Sequence, residues 1–284
     1  MINAATLTSF SLSGLNGTTT KYRGTLFFLT LSCYSVILLI NGAIIVLIIL
    51  EEKLHEPMYI FLGNLCINSL YGTIAFYPKF LFDLLSNTHA ISYTGCLLQV
   101  FVIYSYAATE FSILALMAYD RYVAICRPLE YHSVMTKHRA VLLVCFSRIV
   151  PLLCQTIVMI MTSKVELCGS HIEKLYCDNW SILKLSCNSI TTIIWLGLSE
   201  DRRKFMQTCV PHLLCLLIVT VALLFDLMYA RYGSSSVSQN VKNFMAIQFL
   251  MIPPILNPII YGLKLTQVRN SFFKFLYKNN RFKD

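Results

Sequence analysis

The sequence predicts an all-α fold, a bundle of membrane-spanning helices. Three observations predict it. Of the 284 residues, 56% are hydrophobic and only 13% charged, with a mean hydropathy of +0.64; a water-soluble domain carries about a quarter charged residues to wet its surface. The apolar residues gather in continuous runs rather than alternating, so they read as helices and not as barrel strands. Several runs reach the roughly 17–25 residues that a helix needs to cross a bilayer core of about 30 Å. This composition excludes disordered and fibrous chains. The net charge of +9 lies between the apolar runs, which fits cytoplasmic loops and anionic headgroups rather than nucleic acid.

The elements follow in order. Residues 1–25 are polar and rich in Ser, Thr and Gly, and read as an extracellular segment. They lack a cleavable signal, because the apolar run that follows is too long for a signal core. Asn16-Gly17-Thr18 is a glycosylation sequon, and Asn179-Trp180-Ser181 a second with a weaker claim by position. Spanning helices are expected at about 26–50, 58–85, 91–122 and 140–163, then at 205–230 and 241–264. Few charges fall inside them; Lys79, Asp83, Glu110 and Arg148 are among those that do. The tail, 265–284, repeats Val268, Phe272, Phe275 and Leu276 at helical spacing among Arg269, Lys274 and Lys278, the pattern of a short amphipathic helix on the inner leaflet.

Charge sets the topology and exposes a shortage. Arg121, Arg127, Lys137 and Arg139 lie in and beside one loop, and Lys264 with five further Lys and Arg residues marks the tail, so both belong on the cytoplasmic side. The run at 140–163 then ends outside, two clear runs precede the tail, and Arg202-Arg203-Lys204 falls inside. A further crossing is needed between Lys164 and Arg202. Only residues 188–201 are available for a full fifth helix, fourteen residues or roughly 21 Å at 1.5 Å per residue. The expectation is six clear spanning helices and a truncated fifth.

The eleven cysteines divide by depth. Cys33, Cys66, Cys145, Cys154, Cys209 and Cys215 lie in apolar runs and read as small packed hydrophobes. Cys126 sits at a cytoplasmic helix end and is expected to be reduced. Cys96, Cys168, Cys177 and Cys187 fall on the oxidising side and can form two bridges, with pairing left open by the sequence. A zinc site built from Cys168, His171, Glu173 and Cys177 matches no standard ligand spacing. No cofactor, no metal and no catalytic constellation is expected, since phosphate-binding glycine loops and the hydrolase and zinc-protease motifs are missing.

Four motifs carry the functional signal. Leu54-His55-Glu56-Pro57-Met58-Tyr59 opens the second run. Met117-Ala118-Tyr119-Asp120-Arg121-Tyr122-Val123-Ala124-Ile125-Cys126 closes the third. Lys204-Phe205-Met206-Gln207-Thr208-Cys209-Val210-Pro211-His212-Leu213 opens the run after the basic triplet, and Pro254-Ile255-Leu256-Asn257-Pro258-Ile259-Ile260-Tyr261 ends the last. Together, in this order and at these depths, they closely resemble the odorant-receptor family of rhodopsin-like G-protein-coupled receptors, from Asn41 to the tail.

The resemblance implies a seven-helix receptor in the plasma membrane, N-terminus outside and tail inside. Its partners would be a small odorant, a heterotrimeric G protein and the lipid bilayer, with no nucleic acid. It implies bridges from Cys96 to Cys177 and from Cys168 to Cys187. Asp120, Arg121, Tyr122, His212, Asn257, Pro258 and Tyr261 match switch and G-protein-coupling positions. Arg121 suits a helix C-terminus in any case; Pro258 weakens its helix, and Asn257 can bond the groups that proline frees. Ile103, Tyr104, Ala107, Ala108 and Phe111, with Thr220, Leu223, Leu224, Ile247 and Leu250, match positions that line the ligand pocket. Each apolar one also reads as ordinary helix packing.

Glu110, an intramembrane carboxyl, is a functional candidate by cost alone, or a paired structural group. The family pattern is broken at Ser69, where an acidic residue is usual, which counts against a sodium-linked site, and at Pro211, which replaces a small serine. A transporter or channel would show a continuous polar path, and the intramembrane charges here are scattered. The stronger rival is a family member that has lost signalling through its short fifth helix.

Overall fold

A computed structural model describes residues 9–15, 20–187, 251 and 253–259. Within them lie β1 (Ser9–Leu12), α1 (Thr20–Leu50), α2 (Pro57–Leu85), β2 (Ala90–Ser92), α3 (Tyr93–Cys126), α4 (Tyr131–Val134), α5 (Lys137–Ser163), β3 (His171–Ile172) and α6 (Asn179–Lys184). Residues 251 and 253–259 are also helical. Among the described residues, α2, α3, α5 and residues 22–50 of α1 are long and apolar enough to cross a membrane. The expected helices at 188–201, 205–230 and 241–264, apart from the residues just named, and the amphipathic tail lie outside the described residues.

The four observed spans differ from the expected ones at their ends. α1 begins at Thr20 rather than 26 and α5 at Lys137 rather than 140, while α3 runs from Tyr93 to Cys126 rather than 91–122. A charge-free run ends at Lys or Arg, yet both residues are good helix formers that can hold their charge in the headgroup layer. Local chemistry marks the true starts. Pro57 occupies the first turn of α2, where its missing N–H costs nothing. The Ser92 hydroxyl accepts from the Gly95 N–H at 3.1 Å and Thr136 from the Arg139 N–H at 3.3 Å, so α3 and α5 carry side-chain N-caps.

α2 and α3 form the centre. α2 packs against α1 and α3, and α5 packs against α3 and α2. α1 and α5 keep most of their surface outside the bundle, with Phe28, Leu39, Ile49, Phe146, Leu153 and Ile157 all exposed. Such area would be a liability in water and is the expected lipid contact here. α2 and α3 approach closely at Gly72. A Cβ there would lie 2.4 Å from the Tyr106 ring, and Tyr106 is fully buried.

The outer end holds structure that an all-helical expectation missed. β1 runs antiparallel to β2, with Phe10 opposite Ile91, and parallel to β3, with Leu12 opposite Ile172. Phe10 and Leu12 are buried while Ser9 and Ser11 are exposed, the period-two pattern of a strand with one covered face. Two to four residues per strand give too little periodicity to recognise in a polar Ser/Thr-rich segment. Disulfides join Cys96 to Cys177 and Cys168 to Cys187, the pairs that the family resemblance implies. Cys96 and Cys177 pack with Phe10, Leu12, Ile91 and Ile172, so the first bridge fastens the sheet to the top of α3.

A polar cluster braces α1 against α2 beside this sheet. Arg23 donates from Nη1 to the Ser86 carbonyl at 3.2 Å, and its Nη2 lies 3.4 Å from His89 Nε2. His89 Nδ1 lies 3.9 Å from Asp83 Oδ1, and Asp83 also pairs with Lys79. A ring nitrogen facing a guanidinium donor acts as an acceptor, so His89 is neutral in this arrangement.

Two predictions follow from the packing. Gly72→Ala drives a methyl into the Tyr106 ring and should lower stability by about 1–3 kcal/mol, read as an earlier thermal transition in detergent; an unchanged transition would show that Tyr106 moves aside freely. Burial, ahead of every charge, lowers the His89 pKa from its ordinary 6.5; Asp83 opposes this, and Arg23 and Lys79 add to it. The unfolded chain therefore binds the proton more readily. Stability should fall as pH drops through 6.5, and the loss should level off once the folded site itself is protonated. His89→Gln should flatten that pH profile of thermal stability.

Candidate functional site

The outer half of the bundle gathers an aromatic cluster. Phe76, Tyr77, Phe80 and Leu84 of α2 meet Ile103, Tyr106 and Ala107 of α3, and Leu15, Leu175 and Tyr176 close over them. Tyr104, Phe111, Met251 and Ile255 are partly buried against the same cluster. Tyr34 stacks on Tyr77 with centroids 4.8 Å apart, and Tyr176 meets Phe76 edge-on at 5.9 Å. Four of the five α3 residues matched to pocket positions, Ile103, Tyr104, Ala107 and Phe111, thus share one cluster. Ala108 is exposed, one helical step beyond the buried stripe. Thr220, Leu223, Leu224, Ile247 and Leu250 lie outside the described residues.

Gln99 ties this cluster to its cover. Its Nε2 donates to the Ala75 carbonyl at 2.8 Å, and its Oε1 accepts the Cys177 N–H at 2.8 Å. Ala75 lies in the turn of α2 disturbed by Pro78, which cannot donate back to the preceding turn. One side chain of α3 therefore engages the α2 backbone and the disulfide-bearing loop together. Gln99 was not legible as a site residue, because its partners are backbone groups distant in sequence.

A buried polar layer lies beneath. Glu110 is fully buried. It accepts Asn68 Nδ2 at 2.9 Å on one oxygen and Asn257 Nδ2 on the other. Asn68 also donates to the Tyr106 carbonyl at 3.1 Å. Asn41 Nδ2 donates to the Ile37 carbonyl at 2.9 Å and to the Pro254 carbonyl at 2.8 Å. Asn257 thus engages Glu110. Ser69 Oγ, Asn41 Oδ1 and Asn257 Oδ1 are buried and without a hydrogen-bond partner among the described residues. No three His, Cys, Asp or Glu side chains gather as metal ligands among the described residues.

Toward the C-terminal end of α3, Asp120 is fully buried. Its Oδ2 accepts Arg121 Nε at 3.0 Å and pairs with Nη2 of the same residue. Its Oδ1 accepts the Tyr131 hydroxyl from α4 at 2.9 Å. Burial first, and the negative charge of Asp120 next, push the Tyr131 pKa up, so the phenol stays a donor. Tyr122 is exposed, while Asn257 and Pro258 are buried. His212, Tyr261 and Asn16 lie outside the described residues. Tyr131 was missed in sequence because the loop carrying it offers no periodic pattern that would turn one aromatic ring inward.

The polar layer generates a prediction. Asn68→Leu removes a donor from a buried carboxyl and should destabilise the protein by about 1–3 kcal/mol, measured by thermal unfolding with a thiol-reactive dye. Pairing it with Glu110→Leu should cost clearly less than the two single losses added together; simple additivity would show that the two side chains are not coupled.

Comparison with known proteins gives the family. The family model described as olfactory receptor matches residues 30–199 and 190–279. Human olfactory receptor 2M3 is 34% identical over 284 aligned positions, covering 89% of this chain and 90% of the relative. Human olfactory receptor 2M5 is 33% identical with the same coverage. Mouse olfactory receptor 6E1 is 29% identical over 313 positions, covering 99% of both chains. These relatives are multi-pass receptors of the G-protein-coupled class and not enzymes. By the family match and the observed helices, this chain is a member of the olfactory receptor family, an all-α bundle of the seven-helix receptor type.

Proposed function

We propose that the chain binds a small apolar odorant in the outer half of its bundle and couples to a heterotrimeric G protein, with an output held down by a fifth crossing too short to span the membrane. The outer cluster carries the first part of this reading. Ile103, Ala107, Phe76 and Phe80 supply apolar surface, and the Tyr104 phenol supplies a polar group at its edge, the mixture that small-ligand sites use. A ligand that binds better when the cytoplasmic end is open shifts the population toward that state, releasing Arg121 from Asp120. The N-terminus lies outside and the tail inside: the disulfides require the oxidising side, and the basic loop the cytoplasmic one. Asn16 is then available for glycosylation.

Two observations support the weakened output. The two stretches matched by the family model overlap at 190–199, inside the segment where the sequence falls short of a crossing. The alignment to the mouse relative runs over 313 positions against a chain of 284 residues, so at least 29 positions (313 − 284) have no counterpart here. That total is large enough to include a spanning helix with its flanks. The short segment would pull Arg202-Arg203-Lys204 toward the hydrocarbon and leave one wall of the ligand site open.

Replacing residues 188–201 with the complete fifth helix of olfactory receptor 2M3 tests both parts. The graft should raise surface expression and yield an odorant-driven second-messenger signal that the unmodified chain gives weakly or not at all. Arg121→Ala in the graft should abolish that signal while leaving surface expression in place. Responses of the unmodified chain equal to those of the graft would sink the shortened-helix reading. Normal output from Arg121→Ala would sink the coupling role.

A further inference from the structure

Arg148 marks a second site, apart from the outer cluster and from Asp120. It lies on α5 eleven residues beyond Lys137, and its guanidinium sits at the level of Asn64, seven residues into α2 or about 10 Å along the axis, below the headgroup level. Its guanidinium donates from Nη2 to the Asn64 carbonyl of α2 at 3.1 Å. Its Nε is buried without a partner, and no ion pair to it forms among the described residues.

The polar groups nearby are already engaged. The Asn64 amide donates to the Ile60 carbonyl at 2.9 Å, and the Ser147 hydroxyl to the Val144 carbonyl at 2.8 Å. Exposed Ile67 on α2, with Phe146 and Ile149 on α5, surrounds the position with lipid-facing apolar surface. A guanidinium has five N–H donors and does not give up its charge. The seam between α2 and α5 therefore presents a cation that has no counter-ion among the described residues, below the headgroup level.

We propose that this seam binds a membrane-dissolved long-chain carboxylic acid, its carboxylate on Arg148 and its hydrocarbon chain along α2 and α5. Depth selects the ligand. A phospholipid phosphate stays ionised and tethered at the headgroup level. A fatty acid is not tethered: it gives its proton to water at the headgroup layer, and its carboxylate, drawn below that layer, pairs with the guanidinium. The planar carboxylate offers two oxygens to the fork of N–H donors. This inference stands independently of the odorant reading, since it uses neither the outer cluster nor the cytoplasmic switch.

The test is photolabelling with a diazirine analogue of palmitic acid, in isolated membranes from cells producing the full chain. Labelling should saturate, map to peptides of α2 or α5, and be competed by palmitic acid but not by methyl palmitate. Arg148→Gln should reduce it at least tenfold. The ester comparison uses the unaltered chain and so does not depend on the variant folding. Labelling that fails to saturate, that the ester competes as well as the acid, or that survives Arg148→Gln overturns the proposal. Competition by added phosphatidylserine overturns it too, by assigning the site to a lipid headgroup.

Discussion

The absence of water in the bilayer core governs this structure: a polar group placed there must find its partner within the protein. Glu110 is the point at which that demand is greatest. Its carboxyl is buried at the centre of α3 and is met by two amides, one from α2 and one from the segment containing Asn257. Neither amide is interchangeable with an apolar side chain, because a carboxyl left without donors costs several kcal/mol in hydrocarbon. The relative rotation of the central helices is thereby set by polar pairing, and apolar packing fills in around it. Asn41 extends the same layer to α1 through the Pro254 carbonyl.

Above this layer the chain builds a roof. The sheet, the Cys96–Cys177 bridge and Gln99 converge on the top of α3, so the loop closing the aromatic cluster is held by covalent, backbone and side-chain links at once. Below it the structure is more loosely tied. Asp120 and Arg121 are adjacent residues joined at the water-facing end, reinforced by one phenol from α4. That contrast suits a receptor, in which the ligand end must keep its shape and the coupling end must change partners.

Arg148 stands outside both systems. An intramembrane arginine is expensive wherever it occurs, by roughly 2.5–3.5 kcal/mol on insertion scales, and its single hydrogen bond to Asn64 offsets only part of that cost. Glu110 occupies similar surroundings with both oxygens engaged. The difference between these two charges, one fully answered and one not, is visible only when their neighbours are known.

The sequence by itself determined the solvent, the helical class and the family. Run length and composition decide whether lipid or water surrounds a segment, and Met117 to Cys126, with the three companion motifs, are recognisable without coordinates. It also raised the expectation that 188–201 is short for a crossing, because crossing length is a one-dimensional quantity. Helix ends were less legible, since a charge filter cuts at Lys137 and Arg23 although both continue their helices. The tertiary structure alone decided the cross-chain pairings: Asn68 and Asn257 on Glu110, Gln99 between Ala75 and Cys177, Tyr131 on Asp120, and β1 between β2 and β3. These partners lie between 11 residues apart, for Asp120 and Tyr131, and 160, for Ser11 and His171. Spacing within one helix says which face a residue occupies, but not which residue of another helix will be brought against it.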